Sequence, residues 1–97
     1  MQLIKFKIIL SPAAQRDIKN LEAGQAIQLI RDIQHYLGVS PLPFGKNRIK
    51  RMTGFSFPLY RLRSGDSRAY YRILAHEGVI LAMTHNKDSE KIIKKLR

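Results

Sequence analysis

Cysteine is absent from the 97-residue chain, which excludes disulfides, a thiolate nucleophile and thiolate metal ligands. Carboxylates are scarce as well, with seven Asp and Glu against eighteen Lys and Arg for a formal charge of +11. No two of them suggest a shared acid/base site, and neither carboxylates nor histidines fall at metal-ligand spacing. There is no Gly-rich phosphate loop and no Ser/His/Asp arrangement, so no metal and no cofactor is expected. No apolar run approaches the ~20 residues of a spanning helix. The opening MQLIKFKIIL is too short and too broken by lysine for a signal-peptide core. These absences lead to the expectation of a soluble, cytoplasmic chain without a membrane role.

What is present is a foldable pattern under a large positive charge. Hydrophobic residues make up 44% of the chain, enough for a packed core, and the length suits a single domain over 1–97. An excess of +11 speaks to anionic partners rather than to fold.

Gln2 to Leu10 alternates, with Ile4, Phe6, Ile8 and Leu10 on one face, and reads as a strand. Ser11 and Pro12 stop it and start a helix as N-cap and first helical residue. Ala14, Ile18 and Leu21 form the buried stripe of that helix. A second helix is expected from about Gln25 to Leu37, capped by Gly38. Val39 to Asn47, with Pro41, Pro43 and Gly45, reads as a connector. Beyond it the period falls to two. A short strand or an approach to one is expected around Ile49 to Met52, then strands over 57–63, 67–75 and 78–85. The last two are joined by a turn at His76-Glu77-Gly78. Ser89 to Leu96 has helical spacing and a lysine-rich end suited to the helix dipole. The order β-α-α-β-β-β-α predicts an α+β domain, an antiparallel sheet packed on two N-terminal helices with a short C-terminal helix.

The sharpest local signal is Arg63-Ser64-Gly65-Asp66-Ser67-Arg68. Glycine at the first central position is what a two-residue type II′ turn requires. With Gly65-Asp66 central, Arg63 faces Arg68, Leu62 faces Ala69, Arg61 faces Tyr70 and Tyr60 faces Tyr71. Side chains alternate across a strand. Tyr60, Leu62, Ala69, Tyr71 and Ile73 therefore share a core face, and Arg61, Arg63, Arg68, Tyr70 and Arg72 share the other. Like charges placed directly across strands cost stability, so folding alone does not select this cluster. Phosphate relieves it, because the guanidinium fork matches phosphate oxygens. Arg48, Lys50 and Arg51 lie just upstream and can extend the patch. From Lys46 to Arg72 there are eight basic residues and one acidic residue, Asp66, a local net of +7. The competing reading is a merely solvated basic face whose stems cover apolar neighbours.

Of the histidines, His35 suits a capping or solvated role and His76 an exposed turn. His85 ends the last strand close to the arginine cluster, where it is either a proton-transfer group or a polar strand end. The lysine-rich C-terminal helix has too short an apolar face for a membrane anchor.

The run Leu59 to Ile73, LYRLRSGDSRAYYRI, resembles the RelE/ParE toxin superfamily, whose members carry a stretch like YRLRVGDYRVIY after two helices. Ile80 to Asp88, ILAMTHNKD, is similar to the family's final strand, which ends in His followed by basic residues and an acid. The resemblance implies a type II toxin neutralised by a co-encoded acidic antitoxin. It implies either metal-independent cleavage of mRNA on the ribosome, as in the RelE branch, or poisoning of DNA gyrase, as in the ParE branch. A non-catalytic RNA-binding domain on the same fold is the alternative of a different class.

In the RelE branch the matching positions make Arg61, Arg63 and Arg68 the catalytic or phosphate-binding group. The implied chemistry is attack of a ribose 2′-OH on the adjacent phosphate, leaving a 2′,3′-cyclic end. That reaction needs a base, an acid and positive charge for the phosphorane. His85 is the expected proton-transfer group, Tyr70 a base-stacking residue, and Arg48, Lys50, Arg51, Arg72 and Lys87 further RNA contacts. The chain departs from the family in two places. Asn86 stands where a basic residue is usual, and Ser89-Glu90-Lys91-Ile92 lacks the C-terminal aromatic of many ribonuclease members.

Overall fold

A computed structural model describes residues 7–38, 42, 48–85 and 89–96, with the backbone alone for 89 and 90. The elements are β1 (Lys7–Leu10), α1 (Pro12–Asn20), α2 (Ala23–Asp32), a π-helical segment (Ile33–Leu37), β2 (Ile49–Met52), β3 (Leu59–Ser64), β4 (Ser67–Leu74), β5 (Glu77–His85) and α3 (Ser89–Leu96). The strands form one five-stranded sheet in the order β1-β5-β4-β3-β2. The α+β architecture expected from the sequence is present, with two refinements. β2 is a full partner of β3, and β1 runs parallel to β5, so the sheet is mixed rather than antiparallel.

The start of α1 is set by Ser11, whose hydroxyl accepts from the Ala14 N–H at 3.1 Å, with Pro12 at the first helical position. The same residue ties the helix to the sheet. Its N–H donates to the Ile80 carbonyl at 3.0 Å, and its hydroxyl donates to the Leu81 carbonyl at 3.2 Å. β1 pairs with β5 only as far as Ile80, so α1 flanks the rest of that edge. The Asp17 carboxylate there accepts from the Met83 N–H at 2.9 Å. A strand edge that would otherwise offer unpaired donors is thereby closed by a helix.

Both sheet faces are covered. Ala14, Leu29, Ile33 and Leu37 from the helical layer pack on Ile49, Leu62, Ala69, Tyr71, Ile80 and Met83. On the opposite face Leu59, Tyr70 and Ala82 are buried, with Phe55, Phe57, Ile92, Ile93 and Leu96 packed against them. The amphipathic α3 thus seals part of the face that alternation assigns to the arginines.

Several boundaries differ from the sequence reading. The turn between β4 and β5 is Ala75-His76, not His76-Glu77-Gly78, and Ala75 takes a positive φ of 55°. Gly78 is a buried strand residue aligned between Ile8 and Ile73, where the absent side chain suits close packing. α2 begins at Ala23 and widens into the π segment at Ile33, and Gly38 stays right-handed at φ −66° instead of forming a left-handed cap. Ile4, Phe6 and most of the 39–47 connector lie outside the described residues.

Candidate nucleic-acid interface

Gly65 has φ 59°, and Asp66 is not among the positive-φ residues, which is the backbone signature of the type II′ turn. The register follows: Tyr60 pairs with Tyr71, Arg61 with Tyr70, Leu62 with Ala69, Arg63 with Arg68 and Ser64 with Ser67. The Ser64 hydroxyl donates to Asp32, which also accepts from Gln28 Nε2 at 3.1 Å. This part-buried tie clamps the hairpin tip to α2.

Leu62, Ala69 and Tyr71 face the helices, so Arg61, Arg63, Arg68 and Arg72 belong to the other face by alternation. Lys50 pairs with Arg61 and joins them. Arg63 is exposed, while Arg61, Arg68 and Arg72 are half-buried. The Arg72 guanidinium lies 4.4 Å from the centre of the Phe57 ring, a distance at which cation and ring attract. Arg61 Nε is buried without a hydrogen-bond partner among the described residues, so one donor of that guanidinium is unspent. The array is a row of cations on one sheet face, suited to binding a phosphodiester and stabilising added negative charge on it.

By sequence the chain matches no protein-family model and no curated protein. By structure it is similar to a chain of the toxin–antitoxin complex RelBE2 from Mycobacterium tuberculosis, with TM-score 0.73 and 21% identity over 84% of this chain and 99% of that one. It is also similar to a chain of the archaeal RelE–RelB complex from Pyrococcus horikoshii OT3, with TM-score 0.66 and 19% identity over 84% and 94%. An arginine double mutant of E. coli toxin RelE in the free state gives TM-score 0.66 and 16% identity over 96% and 99%. The chain has the RelE fold.

Within this RelE fold, two expectations about the site need correction. Tyr70 is fully buried at 0% exposure, packed in the smaller cluster with α3, and does not present its ring for base stacking. His85 is not on the arginine face. Tyr70 pairs with Ala82 and Tyr71 with Ile80, so Leu81 is an extra residue in β5. Such a bulge shifts the alternation by one. Ile80 and Met83 both face the helices, and His85, opposite Ser67, falls on that same side. It lines a cavity of about 290 Å³ at the end of β5, between Asp17 and Glu22 of the first two helices and Lys91 and Lys95 of α3. The upstream basic residues divide between the two faces. Arg51 pairs with Tyr60 on the helical side, and the exposed Arg48 guanidinium sits 5.9 Å from the Tyr36 ring. Lys87 lies outside the described residues.

His35 and His76 are exposed, and no cluster of three metal-ligating side chains occurs among the described residues. The sequence reading missed Phe57 beneath Arg72 and Tyr36 beside Arg48. An aromatic residue on the chain just ahead of a basic strand was the available signal for the first. The Tyr71 hydroxyl is pushed well above the ordinary tyrosine range, by burial first and by neighbouring Tyr60 second. The two rings stack at 5.7 Å.

Proposed function

We propose that the chain is the toxin of a type II toxin–antitoxin pair and acts as a metal-independent, ribosome-dependent endoribonuclease on mRNA. The observation that carries this reading is the arginine row, Arg61, Arg63 and Arg68 with Lys50 alongside, on one face of a sheet with the RelE fold. In the proposed reaction a ribose 2′-hydroxyl gives its proton to water as its oxygen bonds to the adjacent phosphorus, and the bond to the 5′-oxygen breaks as that oxygen takes a proton from water. The products are a 2′,3′-cyclic phosphate and a 5′-hydroxyl end. The guanidinium groups hold the phosphate and stabilise the dianionic phosphorane, the term fixed charges serve best. His85 lies opposite Ser67 at the end of β5 and is given no role in the proposal. An acidic antitoxin is the proposed partner, in keeping with the RelE–RelB and RelBE2 complexes whose toxin fold this chain shares.

The test is induced expression in a bacterial host with primer extension on a reporter mRNA. Discrete cuts within translated codons are expected. The exposed Arg63→Ala should lower cleavage by about 10²–10³-fold, the usual loss of one such donor, with the far-ultraviolet circular dichroism unchanged. Growth arrest with intact mRNA would move the target to gyrase, and no arrest would leave a binding domain.

A further inference from the structure

We propose that the π-helical segment and the outer edge of β2 form a second RNA contact, a stacking and phosphate site for the single strand flanking the arginine face. It rests on the RNA-directed reading above and adds a surface that the arginine row does not include.

The geometry begins at one hydrogen bond. The Arg63 N–H donates to the Arg48 carbonyl at 3.0 Å, so these two backbones are neighbours at the edge of the sheet. Their side chains part company. Arg63 lies on the arginine face, whereas the Arg48 guanidinium lies over Tyr36 on the helical side. Arg51 follows on that side, directly across from half-buried Tyr60. Positive charge therefore continues around the β2 edge from one face of the sheet to the other, instead of stopping at the hairpin.

The helical side adds planar groups. His35 meets Tyr36 edge-on at 4.9 Å, and both belong to the π segment, a helix variant frequent at functional sites. Tyr36 packs against the main core and serves as the fixed base of the group. His35, Arg48 and Arg51 are exposed. A held imidazole and guanidinium beside a tyrosine offer flat surfaces for unpaired bases, and the arginines pair with phosphates. A double helix cannot present its bases in this way, so the chemistry selects a single strand. The formal charge of +11 favours a polyanion over a neutral ligand.

The experiment measures binding of a short labelled oligouridylate to the full chain by fluorescence anisotropy across a salt series. Arg48→Ala should lower the salt slope by about one. His35→Ala combined with Arg48→Ala should weaken binding by about fivefold or more. Both positions are exposed, so the fold is not at risk, and Arg63→Ala serves as the comparator from the other face. If Arg48→Ala binds like the parent while Arg63→Ala is weakened, this inference falls and the arginine-face reading stands. If the oligonucleotide is unaffected but binding of poly-glutamate drops, the surface belongs to an acidic protein and the inference is overturned. If no mRNA is cut in cells and oligouridylate binding still depends on Arg48, the second contact stands without the nuclease.

Discussion

Tyr70→Phe should stabilise the protein. Tyr70 has 0% exposure, and its hydroxyl is buried with no hydrogen-bond partner among the described residues. It sits among Leu59, Ala82, Phe55, Phe57, Ile92, Ile93 and Leu96, an apolar set that offers no side-chain acceptor. An unsatisfied buried polar group of this kind costs about 1–3 kcal/mol. Phenylalanine keeps the ring and its contacts and removes only the stranded oxygen, so most of that cost should be recovered. For a domain of this size each kcal/mol moves the midpoint by about 4–8 °C. Thermal unfolding followed by circular dichroism is the assay, and urea unfolding should show a higher midpoint at unchanged slope. A lower Tm for Tyr70→Phe would refute the reasoning, because it would mean that the hydroxyl makes a net favourable hydrogen bond.

Substitutions at three further positions test separate parts of the fold. Ala75→Gly should add about 0.5–1 kcal/mol, since the φ of 55° strains an L-residue by more than the extra freedom glycine brings to the unfolded chain; thermal melts decide it. Asp17→Ala should cost about 1–3 kcal/mol by stranding the part-buried Met83 N–H, and Asp17→Asn, which keeps an acceptor, should recover most of it in urea titrations. Tyr71 sets the alkaline limb: its hydroxyl is raised above the ordinary 10.0 chiefly by burial, so the unfolded chain ionises first. Stability is full below about pH 10 and falls as the pH rises further, and Tyr71→Phe should flatten that fall in melts run against pH.

The hairpin was readable because two signals agreed. Gly65 fixed the turn, and the period-two alternation on either side then left only one register for Arg61, Arg63 and Arg68. The cap at Ser11-Pro12 was legible for the same kind of reason, since it depends on neighbours in sequence. His85 was misplaced because its side of the sheet depends on Leu81, and nothing local marks leucine as a bulge. The turn was misplaced because Gly78 advertises a turn that Ala75 makes, while Gly78 itself is a strand residue of β5. Tyr70 was taken as surface because alternation reports a face but not what covers it, and the cover comes from Ile92, Ile93 and Leu96 at the far end of the chain. The parallel β1 is likewise a long-range pairing that no local pattern specifies.

That parallel pairing has a consequence for how the protein is born. Lys7 lies beside Glu77 and Leu10 beside Ile80, and the Ser11 hydroxyl reaches a carbonyl 70 positions later in sequence. During synthesis the first strand and the first helix therefore have no sheet to join until β5 has left the ribosomal tunnel. Their apolar faces wait, exposed, for the last strand, and the contacts that close the sheet are among the most distant in the chain, which slows folding. The central hairpin can form earlier, but the cover over Tyr70 comes only with α3. A nascent chain of this design thus acquires its finished basic surface only once β5 and α3 are free to join the earlier elements.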